Sequence, residues 1–108
     1  MPITLPQPVA DFFAADGKDA AATALCFTEN AVVVDEHKTY AGRAAIREWK
    51  AQASAKYSYV SEPFAVAGGG GRVVVTSRVT GTFPGSPVDL RYTFVLEGNA
   101  IARLEIAP

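Results

Sequence analysis

An α+β domain is expected from this sequence: a bent, curved antiparallel sheet wrapped around three short N-terminal helices. Three features lead there. Apolar residues recur at helical spacing through the first half of the 108 residues. From Tyr57 onward come four long segments rich in β-branched and aromatic residues. The turns between those segments are Gly68-Gly69-Gly70-Gly71, Pro84-Gly85-Ser86-Pro87 and Gly98-Asn99. Connections this short make neighbouring strands antiparallel.

Each element has a local cause. Pro6 and Pro8 suit a first helical turn, where a missing N–H breaks little. Val9, Phe12, Phe13 and Asp16 then follow i, i+3, i+4, i+7 spacing, which puts both phenylalanines on one buried stripe. Asp16-Gly17 ends that pattern. A second helix, about Lys18 to Phe27, is nearly all alanine, small enough to sit close against a neighbour. Thr28-Glu29-Asn30 reads as a turn, and Ala31 to Asp35 as a β-branched strand ending in an acid. Glu36, His37 and Lys38 form a hairpin tip that returns through Thr39 and Tyr40. Gly42 opens a third helix, about Arg43 to Ala55. Its Ile46, Trp49 and Ala53 share one face, while Arg43, Arg47, Glu48 and Lys50 point elsewhere.

The four strands that follow run about Tyr57 to Ala67, Arg72 to Phe83, Val88 to Glu97 and Ala100 to Ile106. Period-two alternation assigns Leu90, Tyr92, Phe94 and Leu96 to the core, with Ala102, Leu104 and Ile106. The opposite face receives Asp89, Arg91, Thr93 and Val95, then Ile101, Arg103 and Glu105. Gly81, inside a strand, marks a bend or bulge.

Composition excludes several function classes. Ten Lys plus Arg against eleven Asp plus Glu leave a formal net charge of -1, with no run of like charges. That is no footprint for nucleic acid or an anionic membrane. With one cysteine, Cys26, and one histidine, His37, neither an internal disulfide nor a zinc ligand set is expected. Cys26 reads as a small buried hydrophobe and His37 as a solvated hairpin-tip residue. The proline-rich opening is no signal peptide, and no apolar run approaches the roughly 18 residues of a membrane span. The four consecutive glycines lead into a strand, not a helix N-terminus, so they are a hairpin turn and not a phosphate loop. One soluble, cytoplasmic domain over residues 1–108 is the expectation.

Two stretches carry a resemblance over nearly the whole chain. AVVVDEHKTYAGRAAIREW, Ala31 to Trp49, resembles a strand, acid, hairpin, aromatic-Gly-Arg and Ile-x-x-Trp helix pattern. LRYTFVLEGNAIARLEI, Leu90 to Ile106, resembles a terminal hairpin with a Gly-containing turn. Both are similar to the nuclear transport factor 2-like (cystatin-like) cone fold, in its SnoaL-like, polyketide-cyclase-like branch. That fold hosts isomerases, cyclases, dehydratases, hydrolases and inert binding modules.

Asp35 is the sharpest candidate for chemistry. Closing an apolar strand, it either faces the mouth of the cone, where apolar walls poise a carboxylate as a general base, or caps a solvated hairpin end. The resemblance implies the first role, since ketosteroid isomerases of this fold place their proton-shuttling aspartate at the matching position. Those enzymes also take oxyanion donors from a first-helix tyrosine and a late-strand acid. Those places land near Asp11 or Phe12 and near Tyr92, so the resemblance leaves Tyr92 as the one candidate donor. Read from its strand alone, Tyr92 is first a core aromatic with its hydroxyl at the rim. Asp89 and Arg91, with Glu105, invert the strand order of the epoxide hydrolases of this fold and read instead as outer-face ion pairs.

Phe12, Phe13, Tyr40, Trp49 and Phe64 are the expected pocket aromatics, or else core packing, two readings that overlap where the pocket is the unfilled end of the core. The resemblance further implies a homodimer through the mixed outer sheet face, and chemistry without cofactor or metal. Near-neutral charge points to a small, largely apolar ligand. Two functions follow: an isomerase, cyclase or dehydratase using Asp35 and Tyr92, or a non-catalytic ligand-binding or dimerisation module.

Overall fold

The computed structural model describes residues 3–108. Its elements are α1 (Gln7–Ala15), α2 (Ala20–Leu25), β1 (Phe27–Asp35), β2 (Lys38–Ala41), α3 (Arg43–Lys56), β3 (Tyr59–Gly69), β4 (Arg72–Gly81), β5 (Val88–Glu97) and β6 (Ala100–Ala107). The strands form one curved sheet in the order β2-β1-β6-β5-β4-β3. All neighbours are antiparallel except β1 and β6, which run parallel. The intervening chain, with α3 and four strands, is long enough for that crossover.

Pro6 precedes α1 and Pro8 sits in its first turn, where no helical hydrogen bond is lost. Phe12 is fully buried and meets Phe13, Phe27, Tyr92 and Phe94 edge-on, with ring centroids 5.2 to 6.2 Å apart. Edge-on contacts match the positive ring rim to the negative face, so this cluster pins α1 to the concave side of the sheet. α2 starts where Asp19 Oδ1 accepts the Ala22 N–H at 3.0 Å. It is shorter than alanine content predicts, because Phe27 is drawn into β1 as a fully buried core residue. The predicted turn at Thr28-Glu29-Asn30 lies inside β1 instead. Exposed Glu29 and Asn30 fall where the β1–β6 register breaks, between Phe27 and Val32.

Alternation holds along β5, with Tyr92 and Phe94 buried, and fails on β6. Ile101, expected on the outer face, is fully buried. The β5–β6 register shifts between Val95 and Leu96, so that Leu96 pairs with Ile101 while Val95 pairs with Arg103. Ala102 is the extra residue, and this bulge turns Ile101 inward.

A second bulge, between Pro63 and Ala65, leaves Phe64 51% exposed on the convex face. There it borders a shallow dent with Glu62, Pro63 and Arg78. The same face carries exposed Val60 and Val95 and an Arg78–Asp89 ion pair at 2.9 Å. Arg91 is not Asp89's partner, and Glu105 pairs with Arg103 on its own strand. Among the described residues no helix is long and apolar enough to cross a membrane.

Candidate functional site

Ala31, Val33 and Asp35 occupy alternate positions of β1 and so share its concave face. The first two are buried, and Asp35 is half-buried at the strand end. There the chain reverses through Glu36 and His37, with φ of 52° and 65°, and Asp35 pairs with Lys38. Two consecutive left-handed residues make the tightest hairpin turn, which holds the Asp35 backbone in register. His37 is exposed at the tip.

α3 supplies the facing wall. Ile46, Trp49 and Lys50, at i, i+3 and i+4, are its buried residues. Trp49 Nε1 donates to Asp35 Oδ2 at 3.0 Å, and Tyr40 packs on the indole at 5.8 Å between centroids. Lys50 corrects the helix-face expectation, which sent it outward; it is only 5% exposed. Its Nζ donates to Asp16 Oδ1 at 2.6 Å and to Tyr59 Oη at 3.0 Å. The Tyr59 hydroxyl donates to the same Asp16 oxygen at 2.6 Å. Lys50 Nζ also lies 4.1 Å from the centre of the Trp49 ring, so one indole contacts both the ammonium and the Asp35 carboxylate.

Backbone geometry fixes this second cluster. Gly17, at φ 77°, follows Asp16, and a Cβ there would lie 3.3 Å from the Tyr59 ring. A Cβ at Gly81 would lie 2.3 Å from the Ser58 carbonyl oxygen and 2.7 Å from Tyr59 Cβ. Glycine there lets β3 start hard against β4, which sets the height of Tyr59. Asp16 Oδ2 is buried and has no hydrogen-bond partner among the described residues. Such an oxygen costs about 1–3 kcal/mol when left unpaired.

The two clusters open onto one cavity of about 480 Å³. Asp16, Asp35, Lys50, Tyr59 and Tyr92 belong to its polar lining, with Glu36 and Tyr57 beside them, and Trp49, Val79, Phe83 and Ile106 are among its apolar walls. The size suits a small organic ligand, and a few convergent polar groups on apolar walls are the usual build of such a site. A concavity of about 490 Å³ between α1 and α2 lacks that build, being edged by exposed Asp11, Lys18 and Asp19.

Electrostatics separates the acids from the phenols. Burial raises the Asp35 pKa above its ordinary 3.8, opposed by the Trp49 hydrogen bond; Glu36 adds to the rise and Lys50 subtracts from it. Burial, then the charge of Asp16, raises both Tyr59 and Tyr92. Both phenols therefore keep their protons throughout the neutral range and act as donors.

The expected site is thus partly assembled. Asp35, Trp49 and Tyr92 line the cavity together. Phe12 and Phe13 stand behind it in the core, 6.2 and 5.1 Å from the Tyr92 ring, and Tyr40 backs Trp49. Phe64 is on the other side of the sheet, because neither its alternation partners Val60 and Glu62 nor the bulge turns it inward. Asp16, Lys50 and Tyr59 were not foreseen. The signal was present: Asp16 continues the Val9–Phe12–Phe13 stripe, and Lys50 lies one turn beyond Ile46.

A family model described as a SnoaL-like domain matches residues 9–103, nearly the whole chain. The chain belongs to the SnoaL-like domain family. Solved structures agree. This SnoaL-like chain is 41% identical to a candidate polyketide cyclase from Sinorhizobium meliloti, over 95% of each chain with a TM-score of 0.91. It is 22% identical to a Catenulispora acidiphila protein of ketosteroid isomerase-like fold, solved with trimethylamine, over 97% of this chain and 87% of that one, with a TM-score of 0.87. An epoxide hydrolase/cyclase-like enzyme of pyran ring formation in salinomycin, SalBIII, is 25% identical over 92% and 85%, with a TM-score of 0.78. No curated protein matches it.

Proposed function

We propose that this SnoaL-like chain is a cofactor-free proton-transfer enzyme of isomerase, cyclase or dehydratase type, acting on a small, largely apolar carbonyl compound. Asp35 is the general base. Its carboxylate takes the proton from a carbon next to the carbonyl, the C–H electron pair becomes a C=C bond, and the carbonyl oxygen becomes the enolate oxygen. Tyr92 donates a hydrogen bond toward that oxygen. The same carboxyl group returns its proton to carbon or to a leaving hydroxyl.

The observation that carries the reading is Asp35 itself, half-buried on an apolar cavity wall and held by the Trp49 N–H. Partial burial lifts its basicity above that of a solvated carboxylate, and one donor keeps it aimed. The 41% identity to a candidate polyketide cyclase supports carbonyl chemistry, because the acidic C–H bonds of a polyketide flank its carbonyls.

Exchange of α-protons for deuterium, followed by NMR over a panel of cyclic ketones and β-diketones, tests it. Wild-type protein is expected to accelerate exchange, and Asp35→Asn to reduce the rate by about 100-fold or more. Exchange at the uncatalysed rate for every compound, or full activity in Asp35→Asn, overturns the assignment. The second reading, a binding module without chemistry, draws on Phe12. It fills the first-helix position with a fully buried hydrocarbon ring, which offers no donor to the cavity.

A further inference from the structure

We infer that Lys50 is the charged hydrogen-bond donor for the ligand's oxygen in this cavity, and that the ligand carries an oxygen that is anionic or becomes so, as in an enolate or phenolate. Asp16 and Tyr59 are positioning residues for it. The inference rests on the proposed proton transfer for its catalytic meaning, but the binding claim stands without it.

Donor arithmetic comes first. An ammonium has three N–H donors. Lys50 uses one on Asp16 Oδ1 and one on Tyr59 Oη, and among the described residues no hydrogen-bond partner takes the third. Nζ cannot swing freely to find one in solvent, because the side chain is 7% exposed and is gripped between Asp16, Tyr59 and the Trp49 ring. A lysine so held is a directed donor in a water-poor site, where a charge acts more strongly than in bulk solvent.

Location comes second. Lys50, Asp16 and Asp35 all line the same cavity, and the Trp49 indole spans the ammonium and the Asp35 carboxylate. A ligand in this cavity meets an acceptor for its C–H proton at Asp35 and a cation at Lys50 on the same wall. That is the separation of roles an enolisation needs: one group takes the proton while another receives the charge left on oxygen.

The cluster's own chemistry comes third. Asp16 has a 99% buried side chain, with Oδ2 left unpaired among the described residues. A simple structural ion pair is better made with every lone pair satisfied. All of the pairing of Asp16 runs through Oδ1, which holds Nζ and the Tyr59 hydroxyl at one point and so fixes the direction of the ammonium.

The test uses 4-nitrophenol, whose colour reports the phenolate. Measuring in the Asp35→Asn background mimics the uncharged, protonated base. Bound phenolate is expected to be favoured over bound phenol by about tenfold relative to water, read as a fall of about one unit in the probe's apparent pKa. Lys50→Met in that background is expected to abolish the fall while leaving affinity for 4-nitrotoluene, the uncharged shape control, unchanged. An equal fall with and without Lys50 overturns the inference, as does the absence of any fall.

If Lys50→Met does not fold, pairing it with Asp16→Asn removes the stranded charge. The Lys50 15Nζ resonance in the Asp35→Asn protein gives an independent reading. It is expected to shift with 4-nitrophenolate and not with 4-nitrotoluene, and the converse overturns the assignment. The two levels separate cleanly. A Lys50-dependent fall without ketone exchange in the wild type retains the oxygen site and removes the proton-transfer reading. Asp35-dependent exchange with a Lys50-independent fall does the opposite.

Discussion

Asp16 and Lys50 have the highest energetic stakes of any residue pair in the cavity wall. Their side chains are 1% and 7% exposed, and they meet at 2.6 Å. Breaking such a pair strands one buried charge, so Asp16→Ala is expected to cost about 3–5 kcal/mol. Asp16→Leu combined with Lys50→Met is expected to recover most of that loss, as urea midpoints of the variants will show. Trp49 makes a different kind of contribution. Its N–H stabilises the charged form of Asp35, so Trp49→Phe, which removes the donor and keeps the ring, raises the Asp35 pKa further. A base works only when deprotonated, so the low-pH limb of the exchange rate moves to higher pH. A pH–rate profile of wild type and variant checks both the direction and the limb.

At the scale of elements, the irregularities of the strands decide which side chains reach the cavity. Gly81 admits β3 so close to β4 that a methyl group would meet the Ser58 carbonyl oxygen at 2.3 Å. Gly81→Ala is therefore expected to cost about 1–3 kcal/mol by overpacking and to disturb Tyr59, whose ring and hydroxyl follow that backbone. Thermal unfolding gives the first effect, and the Tyr59 resonances the second. The bulge at Ala102 acts in the same way on the core, exchanging Ile101 from outer to inner face. Alternation read along a strand has no access to either event, because a bulge is a property of two paired strands. Helix ends show the same limit. The alanine run predicts more helix than α2 contains, and the burial of Phe27 in the sheet ends it.

For the molecule as a whole, the concave face holds core and cavity, and the convex face holds charge and scattered apolar residues. Two phenylalanines measure that difference. Phe12→Ala removes a ring packed on four other aromatics and is expected to cost about 3–5 kcal/mol. Phe64→Ala, on the convex face, is expected to stay within about 0.5 kcal/mol. Denaturant titration of the two variants makes the comparison directly.

The one-dimensional pattern is enough for the α+β class, the three helices and the hairpin order from β3 to β6, and the family resemblance it carries places Asp35, Trp49 and Tyr92 around one pocket. Periodicity reports which face of an element is apolar, and the strand–acid–hairpin–helix stretch carries the family resemblance. The pairing of Asp16 with Lys50 and Tyr59, 34 and 43 residues away along the chain, required the folded molecule. A charged residue on an apolar stripe shows that burial is demanded, but only the packing of α1, α3 and β3 supplies the partner that makes that burial tolerable. So did the outward position of Phe64, where aromatic character points toward a pocket and strand geometry turns it to solvent. Local chemistry sets what each residue prefers; the sheet's curvature and bulges set what it touches.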